Sequence, residues 1–157
     1  VHRRVSPANV LIDRDGEARL TDLAVATALS WDLMPLGDRP EGAGYAAPEQ
    51  VVAARVDGRA DQFSLGVVLW EALTSRPCFP GDSSRARARA ILREPAAPIS
   101  EADVEVPGSL VEAMERMLAK EPANRFETDD EMLEALASCG RELGLSLDRT
   151  AGSSGLL

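Results

Sequence analysis

The stretch from Asp61 to Thr74, which reads DQFSLGVVLWEALT, constrains the fold more than any other part of the chain. Its apolar residues fall on every side of a helix, and this pattern is typical of a helix that is buried all round. A fully buried strand is the alternative, but the length of the run favours a helix. Asp61 is expected to cap the start of this helix, and Gly66 indicates that a neighbouring backbone passes close to it.

A small β-hairpin is predicted near the start of the chain. Val10–Asp13 and Ala18–Thr21 flank an Asp-Gly pair, which is a typical turn between two short antiparallel strands. This pairing would bring Asn9, before the first strand, and Asp22, after the second, to the same end of the hairpin. Because Mg²⁺ prefers oxygen ligands of this kind, the two side chains form a candidate metal site. The alternative is that Asn9 only caps a turn and Asp22 only starts one.

Three further helix starts can be predicted from local signals. Pro48 is expected at the first position of a short helix that follows a long irregular loop. Another helix begins at Ser109, and a last one is capped by Thr128 and Glu131 in a capping box. The last two helices each carry one apolar stripe, so each is expected to pack one face against the core.

The charge and cysteine content exclude several classes of function. The formal net charge is -9, which argues against general binding of nucleic acid or anionic membranes. No apolar run is long enough to span a bilayer. Cys78 and Cys139 lie far apart in the sequence without a histidine cluster, so neither a disulfide framework nor a zinc site is expected. This cysteine usage is typical of the reducing cytoplasm.

Residues 83–93 predict a helix that carries four arginines. Arg85 and Arg89 share one helix face, as do Arg89 and Arg93. On an otherwise acidic chain, this basic patch is a candidate docking site for an acidic partner. The alternative interpretation is an ordinary solvated helix face.

Five short motifs resemble the signatures of protein kinases. They are HRRVSPAN at residues 2–9, DLA at 22–24, APE at 47–49, DQFSLG at 61–66 and EPANRF at 121–126. Their order and spacing are similar to HRDxxxxN, DFG, APE, D-x-x-S-L-G and D-P-x-x-R in that family. The chain is identified on these motifs as resembling the large lobe of a bacterial serine/threonine protein kinase.

The resemblance implies a mainly helical α+β fold. In this fold, helices surround the buried central helix, and the small β-hairpin lies at the N-terminal end. Residues 1–143 would form the large lobe, and residues 144–157 would form a flexible tail or linker because of their composition. The Gly-rich loop and strand lysine of the small lobe have no counterpart in this sequence, so we expect that lobe to lie upstream.

The resemblance also implies roles for individual residues. Asn9 and Asp22 would hold the metal, and Leu11 would join them in binding the nucleotide. Structural positions of the family fall on His2, Arg3, Glu49, Asp61 and Arg125. Because the corresponding arginine of the family pairs with the APE glutamate, an ion pair between Arg125 and Glu49 is implied. In the family, the helix that corresponds to residues 83–93 carries partner contacts, which would involve Arg85, Arg89 and Arg93.

Three departures from the family pattern affect the chemistry. Arg4 occupies the position of the catalytic aspartate, and a guanidinium carries only donors and stays protonated, so it cannot accept a proton. Ser6 stands where most of these kinases have a lysine that contacts the γ-phosphate. Ala24 replaces the last glycine of the DFG motif and removes the conformational freedom of that position.

These residues lead to one functional hypothesis and two alternatives. The hypothesis is a partial serine/threonine kinase-like domain that is catalytically impaired and acts as a regulatory or binding module. The alternatives are a fragment of an active ATP-dependent kinase and a helical docking domain with no nucleotide role. Mg-ATP is the cofactor of the family, but without the small lobe the chain alone is a poor candidate for binding it. The expected partner is a protein or the missing lobe.

Overall fold

The computed structural model describes residues 1–21, 43–99 and 105–145. These residues form a mainly helical structure with one two-stranded antiparallel sheet, as predicted. The elements are β1 (Val10–Ile12), β2 (Ala18–Leu20), α1 (Pro48–Val51), α2 (Arg59–Thr74), α3 (Ser84–Arg93), α4 (Gly108–Met117) and α5 (Asp129–Glu142). Within the described ranges, no helix has both the length and the apolar character that crossing a membrane requires.

Helix α2 is the buried central helix that the sequence predicted. All of its residues except Ala72 are buried or partly buried, and Phe63, Val67 and Trp70 point into the main core. The close neighbour at Gly66 is a pair of side chains rather than a backbone. A Cβ added there would lie 3.0 Å from Cβ of Met117 and 3.2 Å from Leu118. The missing side chain therefore lets α4 approach the central helix.

The prediction that Asp61 caps helix α2 was wrong. The helix begins at Arg59, with Gly58 at the N-cap position, so Asp61 lies within the first turn. Its carboxylate instead accepts backbone N–H groups of His2 and Arg3, each at 2.6 Å. An acidic side chain in the first turn also interacts favourably with the helix dipole. Asp61 therefore anchors a distant loop to the central helix.

The core has two parts, and the segment of α4 with the residue after it contributes to both. One part surrounds α2 and contains the stacked rings of Phe63 and Phe79, whose centroids are 5.9 Å apart. The other lies between α4 and α5, and its buried members are Ala113, Met117, Phe126, Met132 and Cys139. The predicted apolar stripe of the last helix ends before Leu143, which is 50% exposed because the helix ends at Glu142.

The capping of α5 differs in one bond from the predicted capping box. The hydroxyl of Thr128 accepts the N–H of Glu131 at 3.1 Å, as expected. The carboxylate of Glu131 accepts the N–H of Glu127 at 2.9 Å, whereas a capping box would direct it to Thr128. The side chain thus reaches one residue further back along the chain.

The hairpin has the predicted strands and turn. Val10 pairs with Leu20, and Ile12 pairs with Ala18. Gly16 has a φ of 85°, a conformation that glycine adopts without steric cost. The ladder continues past the strand ends, because the N–H of Thr21 donates to the carbonyl of Asn9 at 2.8 Å. Asn9 and Thr21 therefore lie side by side at the end of the hairpin opposite the turn.

Candidate functional site

The loop at residues 2–9 is held in place from three directions. Its start is fixed by the carboxylate of Asp61, which lies in the first turn of the central helix. The carbonyl of Arg3 accepts a hydrogen bond from Nε2 of Gln50 in α1 at 3.1 Å. Arg3 has a φ of 65°, an uncommon value for a non-glycine residue. Such strain persists only where the surroundings fix it, and it is frequent at functional sites.

The buried imidazole of His2 joins this loop to the end of the hairpin. Its Nδ1 accepts the backbone N–H of Arg4 at 3.2 Å, so the proton lies on Nε2. That Nε2 donates to the carbonyl of Thr21 at 2.8 Å. The ring therefore connects the backbone at Arg4 to the residue that precedes the predicted metal ligand.

Asn9 is buried, and its amide orientation is set by the loop. Its Nδ2 donates to the carbonyl of Arg4 at 2.8 Å. Because the amide nitrogen is used in this bond, the acceptor oxygen Oδ1 is the atom left to face a ligand. Asp22, the second predicted metal ligand, lies outside the described residues together with Ala24. Among the residues that are described, no group of three or more His, Cys, Asp or Glu side chains could hold a metal ion.

Arg4 lies in this loop with its backbone bound on both sides. Its N–H donates to the ring of His2, and its carbonyl accepts from the side chain of Asn9. The side chain therefore starts from a well-defined backbone position, and the residue as a whole is partly buried. Of the other predicted site residues, Ser6 is buried and Leu11 is 58% exposed.

The implied ion pair between Glu49 and Arg125 is present in the structure. Nη1 and Nη2 of the arginine contact the two carboxylate oxygens at 2.7 and 2.8 Å, and the arginine side chain is 0% exposed. The remaining donors bind the carbonyls of Arg59, Ala119 and Lys120. All five N–H donors of the guanidinium are thereby used, which is what a buried arginine requires.

A second buried polar link joins the residues before α1 to the central helix. The hydroxyl of Tyr45 donates to Oε2 of Glu71 at 2.6 Å, and the N–H of Cys78 donates to Oε1 at 3.1 Å. Burial and the neighbouring Glu71 carboxylate raise the pKa of Tyr45 well above its usual value. The hydroxyl of Ser64 donates to the carbonyl of Tyr45 at 2.7 Å. Sequence reasoning missed this link because its partners are far apart in the chain and form no motif.

Lys120 was also missed, although it is the single lysine of the chain. Its ammonium lies 4.0 Å from the ring centroid of Phe79 and 5.6 Å from that of Phe63. Nζ is buried without a hydrogen-bond acceptor among the described residues. Burial lowers the pKa of Lys120 from 10.5 to about 8. A cation held only by aromatic faces has less stabilisation than a hydrated one, which explains the direction of this shift.

Replacing Lys120 with Met should change how stability depends on pH. Between about pH 8 and pH 10.5 the folded protein has lost the Lys120 proton while the unfolded chain keeps it. The neutral form of Lys120 therefore contributes fully to the free energy of unfolding above about pH 10.5. This contribution decreases as the pH falls and is lost as it passes through about 8. The free energy of unfolding of the wild type, relative to the Lys120→Met variant, should rise from pH 7 to pH 10 in urea titrations.

The wild type must be compared with the variant because Cys78 changes the free energy of unfolding with pH in the opposite direction. Burial raises the pKa of its thiol from 9.0 to about 12, so the folded state loses stability above about pH 9. Both proteins share the burial that is the main cause of this effect, so most of it cancels in their difference; what remains is the charge of Lys120, which lowers the pKa of Cys78 in the wild type alone. Parallel stability curves for the wild type and the Lys120→Met variant would contradict the assigned environment of Lys120.

The arginine helix begins at Ser84, where the hydroxyl of Ser83 accepts the N–H of Ala86. Arg85, Arg89 and Arg93 are exposed, and none of them forms an ion pair or hydrogen bond within the described part of the chain. Their charges are thus available to a partner. The three predicted docking residues lie on a solvent-facing side of α3, whose buried residues are Ala88, Ala90 and Ile91.

Comparison with known proteins gives one consistent result. The family described as protein kinase domain matches residues 1–136. A probable serine/threonine-protein kinase of Streptomyces coelicolor is 35% identical over 161 aligned positions, which cover 99% of this chain and 24% of that protein. PknB, a serine/threonine-protein kinase of Mycolicibacterium smegmatis, is 37% identical over 84% of this chain and 22% of its own length. PknB of Mycobacterium tuberculosis is 35% identical with the same coverage. The chain therefore spans less than a quarter of the length of these relatives.

Proposed function

Because the chain belongs to the protein kinase domain family, we propose that it is a catalytically impaired kinase domain that acts as a binding or regulatory module. The proposal is supported by the sequence, in which Arg4 stands where the family's catalytic-loop motif has its aspartate. The surrounding loop is anchored by Asp61, His2 and Asn9. A cation therefore replaces the proton acceptor while the backbone that presents it is kept.

The carboxylates of Asp61, Asp13 and Asp15 are not placed to replace the missing base. The Asp61 carboxylate is occupied by two backbone N–H groups on its two oxygens. Asp13 and Asp15 follow β1, at the turn end of the hairpin, while Asn9 precedes it. Because general-base assistance is worth about 10²–10⁴ in rate, its loss supports strong impairment.

The residues of the loop fit a bound metal–nucleotide in part. Asn9 would offer its Oδ1 to the metal, because the bond from Nδ2 to Arg4 fixes the amide in that orientation. Asp22 would be the second ligand and lies outside the described residues. Kinases of this family generally use Mg-ATP, in which Mg²⁺ neutralises charge on the phosphates. The guanidinium of Arg4 would add positive charge beside those phosphates, which favours binding over turnover.

The buried contacts around the central helix support a binding role, which requires a stable folded surface but no phosphoryl transfer. The Glu49–Arg125 pair joins α1 to the segment before α5, and Arg125 also binds the carbonyl of Arg59 in the central helix. The Tyr45–Glu71 hydrogen bond joins the turn before α1 to the same helix. These contacts stabilise the domain whether or not phosphoryl transfer occurs. The two buried cysteines are free thiols, which supports our proposal that the domain acts in the reducing cytoplasm.

Measurements of binding and turnover on the full-length protein test the proposal. We expect Mg-nucleotide to bind, seen as a ligand-dependent rise in melting temperature, with no phosphoryl transfer above a protein-free control. An Asn9→Ala variant is the matched control, because it removes the metal-facing amide and should lose the rise. Turnover at the ordinary kinase range of about 1–100 s⁻¹ would contradict impairment.

A second candidate function is docking through helix α3. The exposed arginines Arg85, Arg89 and Arg93 have no partner within the described residues, and the whole chain has a formal net charge of -9. A local positive patch on an acidic protein would attract an acidic surface and orient it during encounter. Such docking is compatible with an impaired kinase domain, and it would also operate without a nucleotide.

A further inference from the structure

A cavity of about 370 Å³ lies between the central helix, the linker that follows α3, and α4. Its wall consists of Trp70 from α2, residues 95–99 of the linker, and one side of residues 111–120. All of these lining residues are apolar except Glu115 and Lys120. Of the described residues that line it, none belongs to the loop at residues 2–9 or to the arginine helix.

The linker wall of the cavity is fixed to the central helix by a polar contact. Nε1 of Trp70 donates to the carbonyl of Ala97 at 2.9 Å, and the indole itself is buried. Ile99 is also buried, so the linker is held at both places. Pro95 and Pro98 restrict the backbone between these points because their φ angles are fixed. The cavity is therefore preformed, as most small-molecule sites are.

The two charged side chains of the lining are in different environments. Glu115 is exposed, so water can hydrate its carboxylate. Nζ of Lys120 is buried, lies 4.0 Å from the ring centroid of Phe79, and has no hydrogen-bond acceptor in the part of the chain that the structure describes. Its lowered pKa of about 8 still leaves it mostly protonated at neutral pH. An anion in the cavity would supply the acceptor that this buried cation lacks.

We propose that this cavity binds a small carboxylic acid with an unbranched apolar tail, of the medium-chain fatty acid class, and that its carboxylate pairs with Lys120. The apolar walls would take up the tail, whose burial supplies most of the affinity. The flexible stem of the lysine lets the ammonium turn from Phe79 toward the acid group.

The size and polarity of the cavity favour such an acid over larger or more polar ligands. Ligand cavities span about 300–1,000 Å³, and this one lies near the lower limit, which favours a short tail over a long-chain lipid. A peptide would bury backbone N–H and C=O groups against apolar walls that leave them unpaired, which is costly. This site is independent of the nucleotide and of the docking role of α3.

The test is calorimetric titration of the full-length protein with octanoate and with 1-octanol, which has the same tail without the charge. We expect the wild type to bind octanoate at least about tenfold more tightly than octanol, because only the acid forms a charge-assisted contact. Lys120→Met should weaken octanoate binding at least about tenfold and change octanol binding less than about threefold. Retained octanol binding would also show that the variant is folded.

Two further measurements separate the roles of charge and tail. Arg93→Gln is the matched control, because it removes one positive charge from an exposed residue near the linker that does not line the cavity, and it should change octanoate binding less than about threefold. Hexanoate should bind roughly tenfold more weakly than octanoate, since it buries two fewer methylene groups.

A substitution that fills the cavity tests the location of the site. Val111→Phe adds bulk to the wall, so it should weaken octanoate and octanol alike, whereas unchanged binding of both would overturn the cavity as the site. No binding of octanoate by the wild type, or equal losses for Lys120→Met and Arg93→Gln, would overturn the proposal. Equal losses of octanoate and octanol in Lys120→Met would overturn the pairing with Lys120.

Discussion

Replacing Arg125 with Met is expected to lower the free energy of unfolding by about 3–5 kcal/mol. The substitution leaves the carboxylate of Glu49, which is 7% exposed, without its cation. It also removes the donors to the carbonyls of Arg59, Ala119 and Lys120. A buried charge would thus lose its partner, and three partly buried carbonyls would each lose a donor, which is a costly kind of change in such a network. Urea unfolding of the full-length protein measures the effect.

The chain offers a matched control for this prediction. Arg141 and Glu134 also form an ion pair, at 3.2 Å, but both side chains are more than half exposed. Arg141→Met should therefore change stability by less than about 1 kcal/mol. Similar small effects for Arg125→Met and Arg141→Met would show that the buried network does not hold α1 to the rest of the domain.

Removal of both partners gives a second check on the same network. The double variant Glu49→Gln/Arg125→Met has no buried charge left unpaired, so its cost should be less than the sum of the two single costs. The size of this difference reports the direct coupling between the two side chains. Additive costs would indicate that the arginine acts through the three carbonyls alone.

Several elements could be predicted because their signals are local. The run around Phe63, Val67 and Trp70 is apolar on all faces, and such a run has few alternatives to a buried helix. The hairpin follows from an Asp-Gly turn between two short strands. The start of α1 at Pro48 follows from the missing N–H of proline, which the first turn of a helix does not need.

The failures come from contacts between distant parts of the chain. Asp61 has the local features of an N-cap, but two N–H groups of the loop at residues 2–9 compete for its carboxylate and are bound instead. Lys120 belongs to no recognisable motif. Its importance depends on burial against the ring of Phe79, which lies far from it in the chain. No sequence periodicity encodes such juxtapositions.

Substituting Arg4 with Asp is expected to create or strongly increase phosphoryl transfer. A carboxylate at this position could accept the proton of an attacking hydroxyl, which a guanidinium cannot do. The backbone there is bound through His2 and Asn9, so the new side chain would start from a fixed position. The expected gain over the wild type is about 10²–10⁴-fold, the usual contribution of a general base.

A second variant distinguishes two causes of inactivity, the absence of a base and the positive charge of Arg4. Arg4→Asn removes the positive charge and offers no carboxylate, so it should remain as inactive as the wild type. If Arg4→Asn and Arg4→Asp gained activity equally, the guanidinium would inhibit by its charge or bulk, and the absence of a base would not be the cause.

The most direct measurement is the initial rate of phosphate transfer from labelled ATP to a generic protein substrate, for full-length wild type and Arg4→Asp under identical conditions. Our account predicts no transfer above background for the wild type and a rate at least about 100-fold higher for the variant. Equal rates for the two proteins would contradict it.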